Sequence, residues 1–393
     1  MTTAIAESFT TDNLDLETLL ELSRRTDPVG VLSVYLDARP GAVRASTIDI
    51  KNRLAELQRR LAGGDSPASA DAAQHPRLAA EIERLTDPEA PGRGRVLFIA
   101  MAAGWVTRVS TQLPLPNRVV LDRAPFIHPM LELLDEGGPA GVVLATRTEA
   151  RLLEWRLGEL TQMLELRAEV IEPRHERSGP VGSRPASRFG TPTGAQRNAR
   201  QRDHANRFAE RVATAASRLA YDRGWERLLV SAGEHQTDSL VRALPPALRD
   251  TAVRDPRVLA WVDSASLEEM VTERIRAAHD ESERRLIAQL RERAQGAGAA
   301  ALGLSEVVGA LNQARVAHLI YDPVIRYRGS VGHDGSLYAE DETALTAGAM
   351  PDERLTERIV ERALETGARV SPVEGAGGNG LADASGIAAV LRW

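Results

Sequence analysis

Segments typical of strands and of helices alternate along the 393-residue chain. Residues 28–36 and 95–103 are apolar runs, rich in β-branched side chains and bounded by Pro or Gly, and this predicts buried strands. Between them, residues 47–64 have the apolar spacing of a helix that ends at Gly63-Gly64. Such alternation favours an α/β fold in which mixed sheets are flanked by helices.

The alternation continues in two later parts of the chain. Residues 141–160 have the pattern of a hairpin with its turn near Arg147-Thr148, and residues 225–233 predict a strand that leads into a glycine turn. Trp155, Trp225 and Trp261 are expected in the core or at its boundary. Helix-then-strand patterns occupy residues 303–322 and 354–373, and the chain closes on another strand. Together with the chain length, these patterns predict three domains, at residues 1–137, 138–277 and 278–393.

Composition excludes several classes of chemistry. The chain has no cysteine, which excludes disulfides, thiol catalysis and cysteine-ligated metals. Its eight histidines lack the paired spacing of metal sites, and no Gly-x-Ser-x-Gly motif occurs, so we expect neither a metal nor a cofactor. The N-terminus carries acids where a secretory signal has bases, and no apolar run reaches the roughly 18 residues of a membrane span. We therefore expect a cytoplasmic protein without a membrane partner.

Positive charge is concentrated in one part of an acidic protein. The formal net charge is −6, yet residues 174–211 contain nine arginines and only three acids. Residues 174–194 are rich in Gly, Pro, Ser and Arg and have no apolar period, which predicts a long exposed loop that continues through Gly-x-Gln over residues 174–197. A loop of this length is usually functional or disordered. A localised basic segment on an acidic chain indicates a polyanionic partner.

The loop is followed by a predicted helix from about Asn198 to Arg223. At about 100° per residue, four arginines fall on one narrow stripe of this helix: Arg200, Arg207, Arg211 and Arg218. A second stripe is apolar and suits packing on a sheet: Phe208, Val212, Ala215 and Leu219. The spacing predicts a helix anchored along one edge, whose guanidinium groups can grip phosphates in pairs of hydrogen bonds.

The alternative is a solvated helix face in a protein that favours arginine throughout. Lys51 is the single lysine, so nearly all of the 49 basic residues are arginines. Charge alone does not separate the two interpretations.

Residues 189–219 resemble the middle domain of the archaeal and eukaryotic class I peptide release factors. In that family a basic loop carries Gly-Gly-Gln and leads into a long basic helix. Residues 95–160 resemble the family's junction between N-terminal and middle domains, and residues 284–320 and the chain's end resemble its C-terminal domain. The chain resembles a bacterial member of this family, among the release-factor-like, Pelota-like and Balon-like ribosome-binding proteins.

The resemblance implies a tRNA-shaped protein that enters the ribosomal A site and reaches the peptidyl transferase centre. There the family's glutamine helps to position a water against the ester that joins peptide to tRNA. Gly194 matches the first glycine and Gln196 the glutamine, whereas Ala195 replaces the second glycine. An alanine held at positive φ costs about 1–2 kcal/mol, so this replacement argues against hydrolysis. The candidate RNA-binding residues are Arg184, Arg188, Arg197, Arg200, Arg202, Arg207, Arg211 and Arg218.

A second match lies near the N-terminus. Residues 49–52, Asp-Ile-Lys-Asn, occupy the place of the family's Asn-Ile-Lys-Ser loop, which reads the stop codon. Lys51 and Asn52 are therefore candidates for contact with the decoding region. The helical period through Leu54, Leu57 and Leu61 predicts an ordinary helix start at the same place.

Three functions stay open at this point. The first is peptidyl-tRNA release or ribosome rescue, favoured by Gly194 and Gln196. The second is a non-catalytic hibernation or stress factor that occupies the A site, favoured by Ala195. The third is a tRNA- or RNA-binding protein that acts off the ribosome. The resemblance implies ribosomal RNA and P-site tRNA as partners, and an elongation-factor-like GTPase bound by the C-terminal domain.

Overall fold

The computed structural model describes residues 6–10, 13–62, 77–168, 194–296, 299–340, 349–352, 354–373 and 380–393. The chain divides into two compact units. The first unit joins Met1–Gly137 with His279–Trp393, and the second unit is Gly138–Ala278. The separation of the first and last segments into two domains stays a prediction. The α/β fold class with mixed sheets is confirmed.

A five-stranded sheet forms the N-terminal part of the first unit. Its strands are β1 (Ala6–Phe9), β2 (Val31–Asp37), β3 (Gly94–Ala100), β4 (Val106–Thr111) and β5 (Arg118–Asp122), accompanied by helices α1 (Leu16–Ser23), α2 (Val43–Ala62), α3 (Leu78–Leu85) and α4 (His128–Glu136). The strand order is β1-β4-β3-β2-β5, with β1 and β4 parallel and the other neighbours antiparallel. Apolar residues of β2, β3 and α2 share one buried core.

The second unit contains its own five-stranded sheet. Its strands are β6 (Ala140–Ala145), β7 (Glu149–Arg156), β8 (Glu159–Arg167), β9 (Arg227–Ser231) and β10 (Ala252–Asp255), and its helices are α5 (Gly194–Arg223), α6 (Glu234–Ala243), α7 (Pro246–Asp250) and the first part of α8 (Ser264–Gln295). The order is β10-β9-β6-β7-β8. β6 and β7 form the predicted antiparallel hairpin, with Ala145 opposite Ala150 across the predicted turn.

The predicted apolar stripe of α5 anchors that helix to the sheet. Phe208 and Val212 are buried in the same core as Val143 and Leu152, and Ala215 and Leu219 pack at its edge. This confirms the packing predicted from the helical period. The fit is close at Gly141, where an added Cβ would lie 2.1 Å from Cε3 of Trp225.

A buried carboxylate holds the C-terminal end of α5. Glu154 of β7 accepts two hydrogen bonds from Arg223, at 2.8 and 2.6 Å, and a third from Nε1 of Trp225 at 2.8 Å. The Arg223 hydrogen bond, more than any other cause, lowers the pKa of Glu154. Glu154 therefore stays charged and fixes the turn between α5 and β9.

The C-terminal part of the first unit has two small sheets. The larger contains β11 (Ala300–Leu302), β12 (Val316–Tyr321), β16 (Arg369–Pro372) and β17 (Ile387–Leu391), in the order β11-β17-β12-β16. The smaller contains β13 (Gly329–Val331), β14 (Leu337–Ala339) and β15 (Met350–Asp352), in the order β14-β13-β15, and the helices are α9 (Leu304–Asn312) and α10 (Leu355–Glu365). Within the described residues, no helix is long and apolar enough to cross a membrane.

A polar network connects α4 to the C-terminal sheet inside the first unit. Asp135 accepts hydrogen bonds from Arg369 at 2.7 Å and from Oγ of Ser371 at 2.5 Å. Nε2 of His318 lies 2.8 Å from the same Oγ. Burial, aided by the Arg369 charge and opposed by Asp135, lowers the pKa of His318 to about 4. His318 is therefore neutral in the folded protein near pH 7.

We expect this histidine to make folding stability depend on pH. An unfolded chain protonates His318 near its ordinary pKa of about 6.5, whereas the folded protein does so near 4, so stability falls as pH drops through that window. Between pH 7 and pH 5 the loss attributable to His318 is roughly 2 kcal/mol. Urea denaturation of the wild type and of His318→Gln at both pH values measures it. Equal pH dependence in the two proteins would contradict this origin.

We also expect Glu154 to stabilise the second unit. Glu154→Ala leaves the buried indole N–H of Trp225 without its acceptor, which costs about 1–3 kcal/mol of unfolding free energy. Arg211→Ala, an exposed position on α5, is the matched control and should change stability by less than about 0.5 kcal/mol. Tryptophan fluorescence during urea denaturation of the full chain reports both. A Glu154→Ala protein as stable as the control would refute the assignment.

Candidate nucleic-acid interface

The arginine-bearing helix α5 is long, and only part of it packs on the sheet. It contains 30 residues, or about 45 Å at about 1.5 Å per residue. Residues 202–207 are all exposed, and burial begins at Phe208. The C-terminal half is therefore held by the core, while the exposed turns that precede Phe208 are available to a partner.

The exposed side of α5 carries the described members of the predicted stripe. We call Arg207, Arg211 and Arg218 the arginine face; all three are exposed. Arg207 and Arg218 have only exposed partners on the same helix, Asp203 at 3.7 Å and Asp222 at 3.8 Å. Exposed pairs of this kind are worth about 0.3–0.5 kcal/mol. Their guanidinium groups can therefore exchange these partners for phosphates at little cost.

Arg202 is a further exposed candidate on α5, outside the arginine face. Within the described part of the chain, Arg202 and Arg211 have no ion-pair partner, and both are exposed. This contrasts with Arg223, which is bound to Glu154 and serves the fold. Among the described side chains, the structure thus separates arginines that are available for binding from an arginine that stabilises the unit.

An open groove runs beside the arginine face. It lies between α5 and the edge strand β8, has a volume of about 760 Å³, and is lined by Leu164 and Leu166 opposite Arg207, Arg211 and Arg218. The groove pairs an apolar wall with a charged wall, in which Glu210 and Asp222 lie among the three arginines. Such a combination can take the sugar and base edges of a nucleic acid on one side and its phosphates on the other.

The structure corrects the predicted start of the arginine helix. We expected a loop over residues 174–197 and a helix from about Asn198, but α5 begins at Gly194. Gly194, Ala195 and Gln196 therefore form its first turn. The backbone of Ala195 is right-handed helix, a conformation that alanine favours, so the expected cost of positive φ does not arise there.

Some candidates lie beyond what the structure describes. Arg184 and Arg188 fall outside the described residues, as does most of the predicted loop. Arg197 and Arg200 lie on the helical backbone of α5, but their side chains, like that of Gln196, are outside the described part. Their roles stay predictions.

The second family motif lies within a helix. Lys51 and Asn52 are in the interior of α2, which begins at Val43, and not at a helix start or in a loop. Both are exposed, while the neighbouring Ile50 is fully buried and Asp49 pairs with Arg53 at 2.9 Å. The predicted helix is confirmed, with an earlier first residue. Lys51 and Asn52 can still meet a partner, but only from the surface of a packed helix.

One group of potential metal ligands has a structural role in the first unit. Asp135, His279 and Glu283 offer three ligand atoms within 4.8 Å of one another, a grouping that sequence spacing did not reveal because Asp135 is remote along the chain. Asp135 already accepts hydrogen bonds from Arg369 and Ser371, and a guanidinium cation beside it opposes a metal cation. We therefore assign this group to the interior of the first unit.

The burial of three tryptophans agrees only in part with the prediction from the sequence. Trp155 and Trp225 are buried, as predicted. Trp261 was also expected in the core or at its boundary, but it is 77% exposed. It lies in a 3₁₀ turn (Leu259–Trp261), where Leu259 takes the buried position.

Comparison with solved structures finds distant similarity to translation factors. An archaeal translation termination factor, aRF1, is 16% identical, with 98% of this chain and 99% of that chain covered and a TM-score of 0.26. Archaeoglobus fulgidus Pelota is 16% identical over 76% of this chain and 79% of its own, with a TM-score of 0.32. An archaeal Pelota from a model of ribosome-bound Pelota and ABCE1 is 13% identical over 98% and 95%, with a TM-score of 0.42. No curated protein matches the sequence.

One family model matches the sequence. Residues 125–280 match the family described as bacterial archaeo-eukaryotic release factor family 10, and this range includes the whole second unit with its arginine face. The resemblance drawn from the Gly-x-Gln segment and the arginine helix is confirmed by this match. The matched region, which is less than half of the chain, is similar to bacterial archaeo-eukaryotic release factor family 10.

Proposed function

We propose that the chain is a ribosome-binding, release-factor-like translation factor that occupies the A site and acts in peptidyl-tRNA release or ribosome rescue. The observation that carries the proposal is the arginine face, exposed and weakly paired, within the region that matches the release-factor family. Because members of this family act in translation, we take ribosomal RNA as the polyanionic partner of this basic surface.

Charge distribution supports a defined orientation on RNA. The whole chain carries −6, so most of its surface is repelled by phosphate, while the segment around α5 is strongly basic. Arginine suits such contacts because its planar fork donates two hydrogen bonds to one phosphate. In the proposal Arg184, Arg188, Arg197, Arg200 and Arg202 extend the arginine face along the loop and the first turns of α5.

The proposed chemistry belongs to the first turn of α5. Gln196 would hold a water molecule whose oxygen attacks the ester carbonyl carbon of peptidyl-tRNA. The bond from that carbon to the tRNA 3′ oxygen breaks, one proton of the water passes to the 3′ oxygen and the other to solvent, and the peptide is released as a carboxylate. Gly194 permits the close approach of backbone to RNA. The N-terminus of a long helix also bears partial positive charge, which favours the oxyanion that develops.

A second candidate is occupancy of the A site without hydrolysis, as in a hibernation or stress factor. Ala195 favours it, because this residue replaces a glycine and lies in a helical turn, not in a flexible glycine pair. Release and occupancy would use the same docking surface. They differ only in whether Gly194, Ala195 and Gln196 take part in hydrolysis.

Further partners follow from the family. We propose that the C-terminal part of the first unit contacts an elongation-factor-like GTPase. Lys51 and Asn52, exposed on α2, are proposed to face the decoding region as a helix surface, without reading a codon. The protein would act in the cytoplasm, with ribosomal RNA and P-site tRNA as its nucleic-acid partners.

Charge reversal tests the docking surface. The double variant Arg207→Glu/Arg211→Glu replaces attraction to phosphate by repulsion, so we expect at least a hundredfold loss of ribosome affinity in co-sedimentation at fixed salt. Arg242→Glu is the control, an exposed arginine of the same unit on α6, away from the arginine face, and should pellet like the wild type. Unchanged pelleting of the double variant would show that the face is merely solvated.

Peptide release tests the chemistry. Ribosomes carrying labelled peptidyl-tRNA should release peptide when the wild type is added, and Gln196→Ala should slow release by about a hundredfold because the water loses its orientation. Co-sedimentation of the variant checks that binding persists. If the wild type binds tightly and releases no peptide, hydrolysis is refuted and the occupancy role stands.

A further inference from the structure

A cavity of about 880 Å³ lies within the second unit, on the side of α5 next to the β6–β7 turn and α6. Six of its lining side chains are arginines or histidines: Arg147, Arg202, His204, Arg207, Arg211 and His235. No acidic side chain lines it among the residues that the structure describes. In a chain of net charge −6, such a cavity attracts an anion.

One acid offsets part of the cavity's positive charge. Asp203 pairs at 3.7 Å with Arg207, which lines the cavity, whereas Asp238 of α6 is bound by Arg254 of β10, outside the cavity. Glu234, in the first turn of α6, is exposed and does not line the cavity. Of the four arginines that line the cavity, Arg207 is thus paired with Asp203, and the field of the others remains.

The floor of the cavity is apolar. Phe208, Val212 and Leu240 are buried there, and Ala145 and Ala168 complete the surface. Four polar side chains also line the cavity: Thr146, Thr148, Gln236 and Ser239. Ligand pockets commonly measure about 300–1,000 Å³ and combine an apolar lining with a few polar groups, so the size and the lining both suit a small organic anion.

The N-terminus of α6 adds a third feature. His235 and Gln236 belong to its first turn, and Gly233 before them provides no side-chain cap. The backbone N–H groups of a helix start bind phosphate readily. An anion seated beside His235 would meet these groups and the guanidinium of Arg147 from the facing turn.

We propose that this cavity binds a nucleotide, with its phosphate between Arg147, His235 and the start of α6, and its base on the apolar floor at Phe208. The inference rests on the proposed function in one respect. On the ribosome, the nucleotide is an RNA residue whose base unstacks from its neighbours and enters the cavity beside the arginine face. A free nucleoside monophosphate offers the same chemistry from a second source.

Calorimetric titration of the full chain tests the proposal with three probes: adenosine monophosphate, a single-stranded RNA 12-mer and inorganic phosphate. We expect the nucleotide or the RNA to bind, and the double variant Arg147→Ala/His235→Ala to weaken that binding at least tenfold. The matched control is Arg242→Ala, on the same helix as His235 but outside the cavity, and it should bind within twofold of the wild type.

The probes identify the source. Binding of RNA alone that depends on Arg147 and His235 assigns the cavity to RNA, and similar dependence for the monophosphate alone assigns it to a free nucleotide. Inorganic phosphate that binds as tightly as the nucleotide would overturn the role of the apolar floor. Equal weakening in the cavity variant and in Arg242→Ala would overturn the site altogether.

Ribosome co-sedimentation keeps this proposal separate from the proposed function. If the wild type binds nucleotide but no ribosome, the cavity stands and the ribosomal role falls. If it binds ribosomes and none of the three probes, the cavity proposal falls alone.

Discussion

The packing of α5 on the sheet of the second unit determines where every candidate group of that unit lies. Phe208 and Val212 enter the core beside Val143 and Leu152, which sets the rotation of the helix about its own axis. With that rotation fixed, Arg207, Arg211 and Arg218 must be exposed, and Arg207 and Arg211 also line the basic cavity. A helix free to rotate would offer the same charges in no fixed direction.

Not every arginine of the second unit has the same role, although the sequence presents them alike. Arg223 is bound to the buried carboxylate of Glu154 and closes the end of α5. Arg257 is bound in the same way to Asp255, which is fully buried. In the arginine face, Arg207 and Arg218 have only weak, exposed partners. Burial of the acid therefore distinguishes an arginine that stabilises the fold from one that is available to RNA.

The sequence predicted what depends on local periodicity. The apolar stripe of α5 was correct because one face of a helix must bury its side chains at intervals of three and four. The β6–β7 hairpin was correct because alternation and a turn signal coincide at residues 141–160. The family resemblance came from the order of a basic segment, Gly194, Gln196 and a long helix.

What depends on distant pairing could not be predicted. Arg147 and His235 line one cavity because β6 and β9 pair in parallel and bring the two following turns to one edge of the sheet. No spacing in the sequence indicates this proximity.

Two local features were also predicted wrongly. The start of α5 was placed too late because the Gly and Pro residues before Gln196 are typical of a loop, yet the helix begins at Gly194. Trp261 was misplaced because Leu259 takes the buried position of its short turn.

We propose that the exposed side of α5 faces ribosomal RNA, and directed cleavage tests this proposal most directly. The chain has no cysteine, so Asn206→Cys on the exposed turns of α5 can carry a single tethered iron chelate that generates hydroxyl radicals. Val258→Cys, an exposed site outside α5 in the same unit, is the control. We expect cleavage of large-subunit RNA around the peptidyl transferase centre from residue 206 and little there from residue 258. Equal cleavage from both, or none from residue 206 on ribosomes that hold the protein, would contradict it.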